Sequence, residues 1–222
     1  MRAVRQVNGD LSFAPSDLTA YLECEHLTHL QLEVARGELV KPRAEDPQAE
    51  LIRRKGEQHE RAYLEQLLAD GRDVAQIEIA GRNGGDWDWE RAARETEEAM
   101  RAGRDVIYQA AFVDGEWRGL ADFVVLQPDG SYEAIDTKLA RHGKPAHVLQ
   151  LCFYSEQIGR VQGRIPERMH IELGSGESET YRVLDFLAYY RRVRDRFLAF
   201  VHDPPHSILD GARQAQPGGS GG

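Results

Sequence analysis

Apolar positions in the first part of the chain recur three and four residues apart, and from residue 105 they alternate, so helices should give way to strands. Ser16-Asp17-Leu18-Thr19 supplies a capping hydroxyl and a first-turn acid, and Leu18, Tyr21, Leu22, Leu27, Leu30 and Val34 follow at helical spacing. This pattern predicts one helix over 16–37, closed at Gly37, then a connector from Lys41-Pro42 to Asp46-Pro47. A second helix is expected over 48–69, burying Leu51, Ile52, Tyr63, Leu64, Leu67 and Leu68 and stopping at Asp70-Gly71. A short strand over 74–79, a loop over 81–86 and a third helix over 89–101 follow.

The alternating stretch divides into strands over 106–113, 117–126 and 132–137, turned by Asp114-Gly115 and by Pro128-Asp129-Gly130. After a loop over 141–145 come a helix over 146–158, strands over 168–173 and 179–183 joined by Gly174-Ser175-Gly176, and an amphipathic helix over 184–201. The order suits an α/β fold of α+β character, a central mixed sheet built on a three-strand meander and flanked by helices. One domain is expected over 1–202, with a helical part over 13–70 and a core over 71–202, and a Pro- and Gly-rich tail over 203–222 without packed structure.

Composition narrows the partners. The chain carries 28 basic and 37 acidic residues, a net charge of −9, which argues against coating nucleic acid with the whole surface. A local basic groove stays open, because salt screens charges beyond about 10 Å. Two cysteines, Cys24 and Cys152, cannot build a disulfide framework or a four-thiolate metal site. There is no apolar run of membrane-spanning length and no apolar segment at the start, so a cytoplasmic protein with no membrane partner is expected.

The chemistry concentrates in the meander. Asp122 interrupts an apolar strand, and Asp136 and Lys138 stand two apart on the next, hence on one face of it. A tight turn makes the strands neighbours, and two converging carboxylates repel unless a cation lies between them. Oxygen-rich sites of that kind suit Mg²⁺ or Mn²⁺, and an adjacent ammonium can steady charge on a phosphoryl group. Without context, the same residues make an exposed strand-end ion pair beside a satisfied edge carboxylate.

Gly119 and Asp122, followed by Asp136-Thr137-Lys138, resemble the PD-(D/E)XK nuclease signature, and three further segments resemble its RecB-like branch. Gly56-Glu57-Gln58-His59-Glu60 matches a GxxHE element, Gln150 to Tyr154 matches QxxxY, and Tyr21-Leu22-Glu23-Cys24 matches YLxC. The last is similar to CRISPR-associated RecB-like exonucleases and to bacterial RecB-like nucleases joined to helicase modules. The resemblance covers about residues 13–200 and implies a restriction-endonuclease-like core.

Carried over, the resemblance implies that His59, Asp122, Asp136 and the Thr137 carbonyl hold Mg²⁺ or Mn²⁺ and that Lys138 activates the hydrolytic water. Gln150 and Tyr154 would line the site and contact DNA or brace the lysine, and Glu60 would support from behind. The implied activity is hydrolysis of DNA, by an exonuclease on single-stranded ends, in repair, recombination or defence, with a helicase as possible partner. Many such relatives carry an iron–sulfur cluster on one early and three late cysteines. Cys24 matches the first, but no cysteine follows Val201, so no cluster is expected. A second reading is a nuclease-like module that binds nucleic acid or a helicase without cutting.

Overall fold

The computed structural model describes residues 4–7, 10–40, 46–78 and 88–204. Along them run strands β1 (Arg5–Val7) and β2 (Asp10–Ser12), helices α1 (Pro15–Glu23), α2 (Glu25–Ala35) and α3 (Pro47–Ala69), strand β3 (Val74–Gln76) and helix α4 (Trp89–Arg101). The meander β4 (Val106–Asp114), β5 (Trp117–Leu126) and β6 (Tyr132–Lys138) follows, then α5 (Pro145–Gln162), β7 (Arg168–Leu173), β8 (Ser178–Arg182) and α6 (Val183–His202). The expected loop over 81–86, most of the connector, and the tail from residue 205 lie outside the described residues.

Local chemistry sets the helix starts. Pro15, Pro47 and Pro145 occupy first turns, where the missing N–H would have had no helical acceptor anyway. Asp46 caps α3 by accepting from the Gln48 and Ala49 amides, and Asp88 caps α4 by accepting from the Arg91 amide. Where one helix was expected over 16–37, the chain breaks at Cys24, which is extended at φ −161° and ψ 102°. Its Sγ accepts from the Leu27 amide at 3.4 Å, so the thiol stands where a serine cap would and starts α2 in a new direction.

Strands β3 to β8 form one mixed sheet in chain order, with β3–β4 and β6–β7 parallel and the other pairs antiparallel. Strands β1 and β2 pair separately, and Phe13 ties them to the start of β5 through its N–H to the Glu116 carbonyl and its carbonyl from the Arg118 N–H. One sheet face carries α1, α4, α5 and α6 over the main core, where Phe13, Phe153, Ile158, Tyr190 and Phe197 are fully buried. The other carries, among the described residues, α3, through Tyr63, Leu64 and Leu67 against Val106, Phe123, Val125 and Ile135.

Only the second half of α3 packs. Leu51 and Ile52, expected to be buried, are exposed, because the first half of the helix meets no partner layer among the described residues. Leu68, also expected to be buried, is exposed at the helix's last turn, beyond the packed Tyr63, Leu64 and Leu67. Helix α5 is locked to α6 by Glu156, which is buried and takes Arg191 Nε at 2.7 Å and Arg194 Nη1 at 2.6 Å. A carboxylate out of water needs such charged donors. Gly119 lets α5 and α1 settle on β5: a Cβ there would stand 2.7 Å from Phe153 and 2.9 Å from Tyr154.

Candidate functional site

The ladder between β5 and β6 runs from Leu126↔Tyr132 to Phe123↔Ile135 and stops one step before Asp122 would face Asp136. Beyond it, Asp122 Oδ2 takes the place of a backbone carbonyl, accepting from the Thr137 amide at 2.8 Å and the Thr137 hydroxyl at 2.9 Å. The Asp122 side chain therefore lies toward β6 rather than toward either helix layer.

Asp136 is 4% exposed, and its Oδ2 lies 2.7 Å from Lys138 Nζ in an ion pair without hydrogen-bond alignment, so this oxygen has no hydrogen-bond partner. The alternative of an exposed strand-end pair does not hold for Asp136, since α3 and α5 both pack on β6. Burial pushes the Asp136 carboxyl up to about 7; the Lys138 ammonium pulls against that, and the Asp122 charge adds to it. Burial works against the charged form of Lys138, yet Asp136, Asp122 and then Glu60 hold its pKa above that of an ordinary lysine. Two carboxyls brought together at a buried strand end form a place where a proton or a cation is favourable, and the Lys138 ammonium already stands beside Asp136 there.

Of the remaining expected residues, Glu60 reaches this centre through its charge on Lys138, whereas the pocket lined by Gln150 and Tyr154 includes none of Asp122, Asp136 and Lys138. His59, on α3, has Nε2 3.3 Å from the Glu172 carbonyl of β7. A carbonyl only accepts, so that nitrogen carries a proton. Among the described residues no three His, Cys, Asp or Glu side chains stand together as a metal-holding group, so His59 is not gathered with the two aspartates in this arrangement. Asp122 and Asp136 are oxygen donors of the kind a divalent cation takes, and His59 stands apart from them.

Gln150 and Tyr154, on α5, line a pocket with Arg5, Arg118, Leu120 and the start of α1. The Tyr154 hydroxyl donates to the Leu120 carbonyl at 2.7 Å, bracing β5 two residues before Asp122. Cys152 is fully buried, its thiol pushed up to about 12 by burial and then by Glu156, whereas Cys24 is exposed.

Two neighbours had not been singled out. Gln109 of β4 donates from Nε2 to Glu60, the α3 residue whose charge reaches Lys138. His147, in the first turn of α5, is held neutral with its pKa lowered to about 4, by burial first and then by the charges of Lys138 and Lys144. For Gln109 the available sign was a polar residue inside the apolar run 106–113; for His147 the sequence offered none.

No family model matches the chain, and no curated protein matches it. Among solved structures it is similar to the crystal structure of SSO0001, at 14% identity and a TM-score of 0.29, over 81% of this chain and 88% of that one. A likeness of that size fixes neither the detailed fold nor an activity. Among the described residues, no helix is long and apolar enough to cross a membrane.

Proposed function

We propose that the chain is a metal-dependent nuclease of the RecB-like branch, with a restriction-endonuclease-like core, that hydrolyses phosphodiester bonds of single-stranded DNA from an end. The observation that carries this reading is the joining of Asp122, Asp136 and Lys138 at the open end of β5 and β6, with the Asp136 carboxylate buried. Asp122 and Asp136, with the Thr137 carbonyl and a turned His59, would hold Mg²⁺ or Mn²⁺, which supplies an acidified water and a counter-charge for the phosphate. Asp136 gives a ligand oxygen already out of water, and Asp122 is kept in place by Thr137. Lys138, held protonated by three carboxylates, donates to the attacking oxygen or to the phosphoryl group as charge builds. Tyr154 fixes the strand that carries Asp122.

One observation favours a second reading, a nuclease-like module that binds nucleic acid or a helicase without cutting. Lys138 already neutralises Asp136 at 2.7 Å, and no three-ligand group stands assembled among the described residues. Cleavage of end-labelled single-stranded DNA with Mn²⁺ or with EDTA, with Asp136→Ala alongside, separates the two. Products that need the metal and vanish in the variant support the nuclease, and the ladder gives the direction of attack. Metal-independent DNA binding without products supports the module.

A further inference from the structure

Strands β4 and β5 change phase together at one point. On β5, Trp117 and Gly119 face α5: the Trp117 ring lies 6.2 Å from that of Phe153, and a Cβ on Gly119 would strike Phe153 and Tyr154. Alternation would keep Phe123 on that face. Instead Phe123 packs on Tyr63 of α3 at 5.0 Å, and Val124 joins the α5 side. β4 repeats the shift, with Tyr108 against Phe123 at 5.2 Å on the α3 side and Phe112, four residues on, against Tyr154 at 6.2 Å on the α5 side.

The pairing stays in step, Tyr108↔Phe123 then Ala110↔Ala121, so Gln109 and Asp122 stand opposite each other where both strands slip. Gln109 has φ 56°, and it is the only non-glycine with positive φ among the described residues. A left-handed residue inside a strand is strained and persists where the surroundings impose it, which is common at functional sites. An unbroken β5 would send Asp122 squarely into one helix layer. With the slip, its carboxylate reaches the Thr137 amide and the end of β6.

We propose that Gln109 is a positioning residue: its left-handed backbone makes the paired slip that carries the Asp122 carboxylate to Thr137 and Asp136. Its catalytic consequence rests on the nuclease reading; its structural consequence does not.

The test compares Gln109→Gly and Gln109→Asn, which accept positive φ, with Gln109→Val, whose branched Cβ does not. Expected is Mn²⁺-dependent kcat within about threefold of wild type for Gly and Asn, and a fall of about tenfold or more for Val with KM for DNA unchanged, as misplacement of a reacting group gives. Wild-type turnover in Val, or an equal loss in Gly and Val, overturns the proposal. Exchange of the Thr137 amide hydrogen, read by NMR, decides the structural part in every case. Protection in wild type and Gly with loss in Val supports it, and equal protection in all three overturns it. Should Val fail to fold, Gln109→Ala takes its place in both measurements. If wild type does not cut DNA, the nuclease reading falls while the Thr137 exchange still decides the role of Gln109.

Discussion

Asp122 Oδ2 accepts from both the amide and the hydroxyl of Thr137, so one carboxylate oxygen satisfies two donors at the point where the β5–β6 ladder ends. Asp122→Ala strips both of their acceptor and is expected to destabilise by about 1–3 kcal/mol, whereas Asp122→Asn keeps an oxygen there and should lose under about 1 kcal/mol. Urea denaturation measures the difference. Both variants should lose DNA cleavage, which separates the structural from the chemical role.

Lys138→Met should lower cleavage about 100-fold or more, as removal of one donor to developing charge does. It also leaves the buried Asp136 without its counter-charge, so the loss of stability depends on pH. The Asp136 carboxyl titrates near 7. At pH 8 the wild-type carboxylate keeps its ion pair while the variant must either take up a proton or bury an unpaired charge, a loss of about 1–3 kcal/mol; at pH 5 the carboxyl is protonated in both and the loss should shrink toward zero. A constant loss across that range would mean the ion pair does not set the stability of this strand end.

Asp17 supplies a pH dependence away from these carboxylates. It is 3% exposed on α1, and burial pushes its carboxyl up to about 7, against the Ala14 amide that donates to it at 2.8 Å. A carboxyl with its folded pKa raised binds its proton more tightly in the folded state, so this contribution is full below about pH 4 and is lost as pH rises toward 7. Asp17→Asn keeps an acceptor for Ala14 and should remove that slope, melting above wild type at pH 8. Thermal denaturation at pH 5 and pH 8 checks it.

Gly119→Ala places a methyl within 3 Å of the Phe153 and Tyr154 rings, of which Phe153 is fully buried and Tyr154 is held by its hydroxyl on Leu120. Overpacking of that kind is expected to destabilise by about 1–3 kcal/mol and to lengthen the bond from Tyr154 to Leu120. An unchanged melting temperature would show that the two rings can move.

The meander was legible to within a residue, because the alternation of 106–137 and the Asp114-Gly115 and Pro128-Asp129-Gly130 turns are local signals. The β1–β2 pair was not, since three-residue strands hold too little pattern to count. Nor was the break at Cys24, where no glycine or proline marks the end of α1 and the direction of α2 is set by packing of residues such as Tyr21 and Leu32. Asp122, Asp136 and Lys138 stood out as charges in apolar strands. The slip at Gln109 stayed hidden because Tyr108, Phe112 and Phe123 are apolar whichever face they serve, and only the helix each one meets tells the faces apart.

The clamp on Glu156 has a consequence for the order in which the molecule is made. Asp122, Asp136 and Lys138 leave the ribosome well before Arg191 and Arg194, and until those arginines arrive Glu156 is a charge with no place in an apolar interior. Helix α5 therefore gains the charged partners of Glu156 only once α6 has been synthesised and docked. A chain ending at residue 182 should leave the Cys152 thiol, one turn before Glu156, open to alkylation, while the longer chain protects it. Protection in the shorter chain would show that α5 closes by itself. The last helix made thus supplies the charges that let Glu156 lie buried, long after the acidic residues of the strands have been laid down.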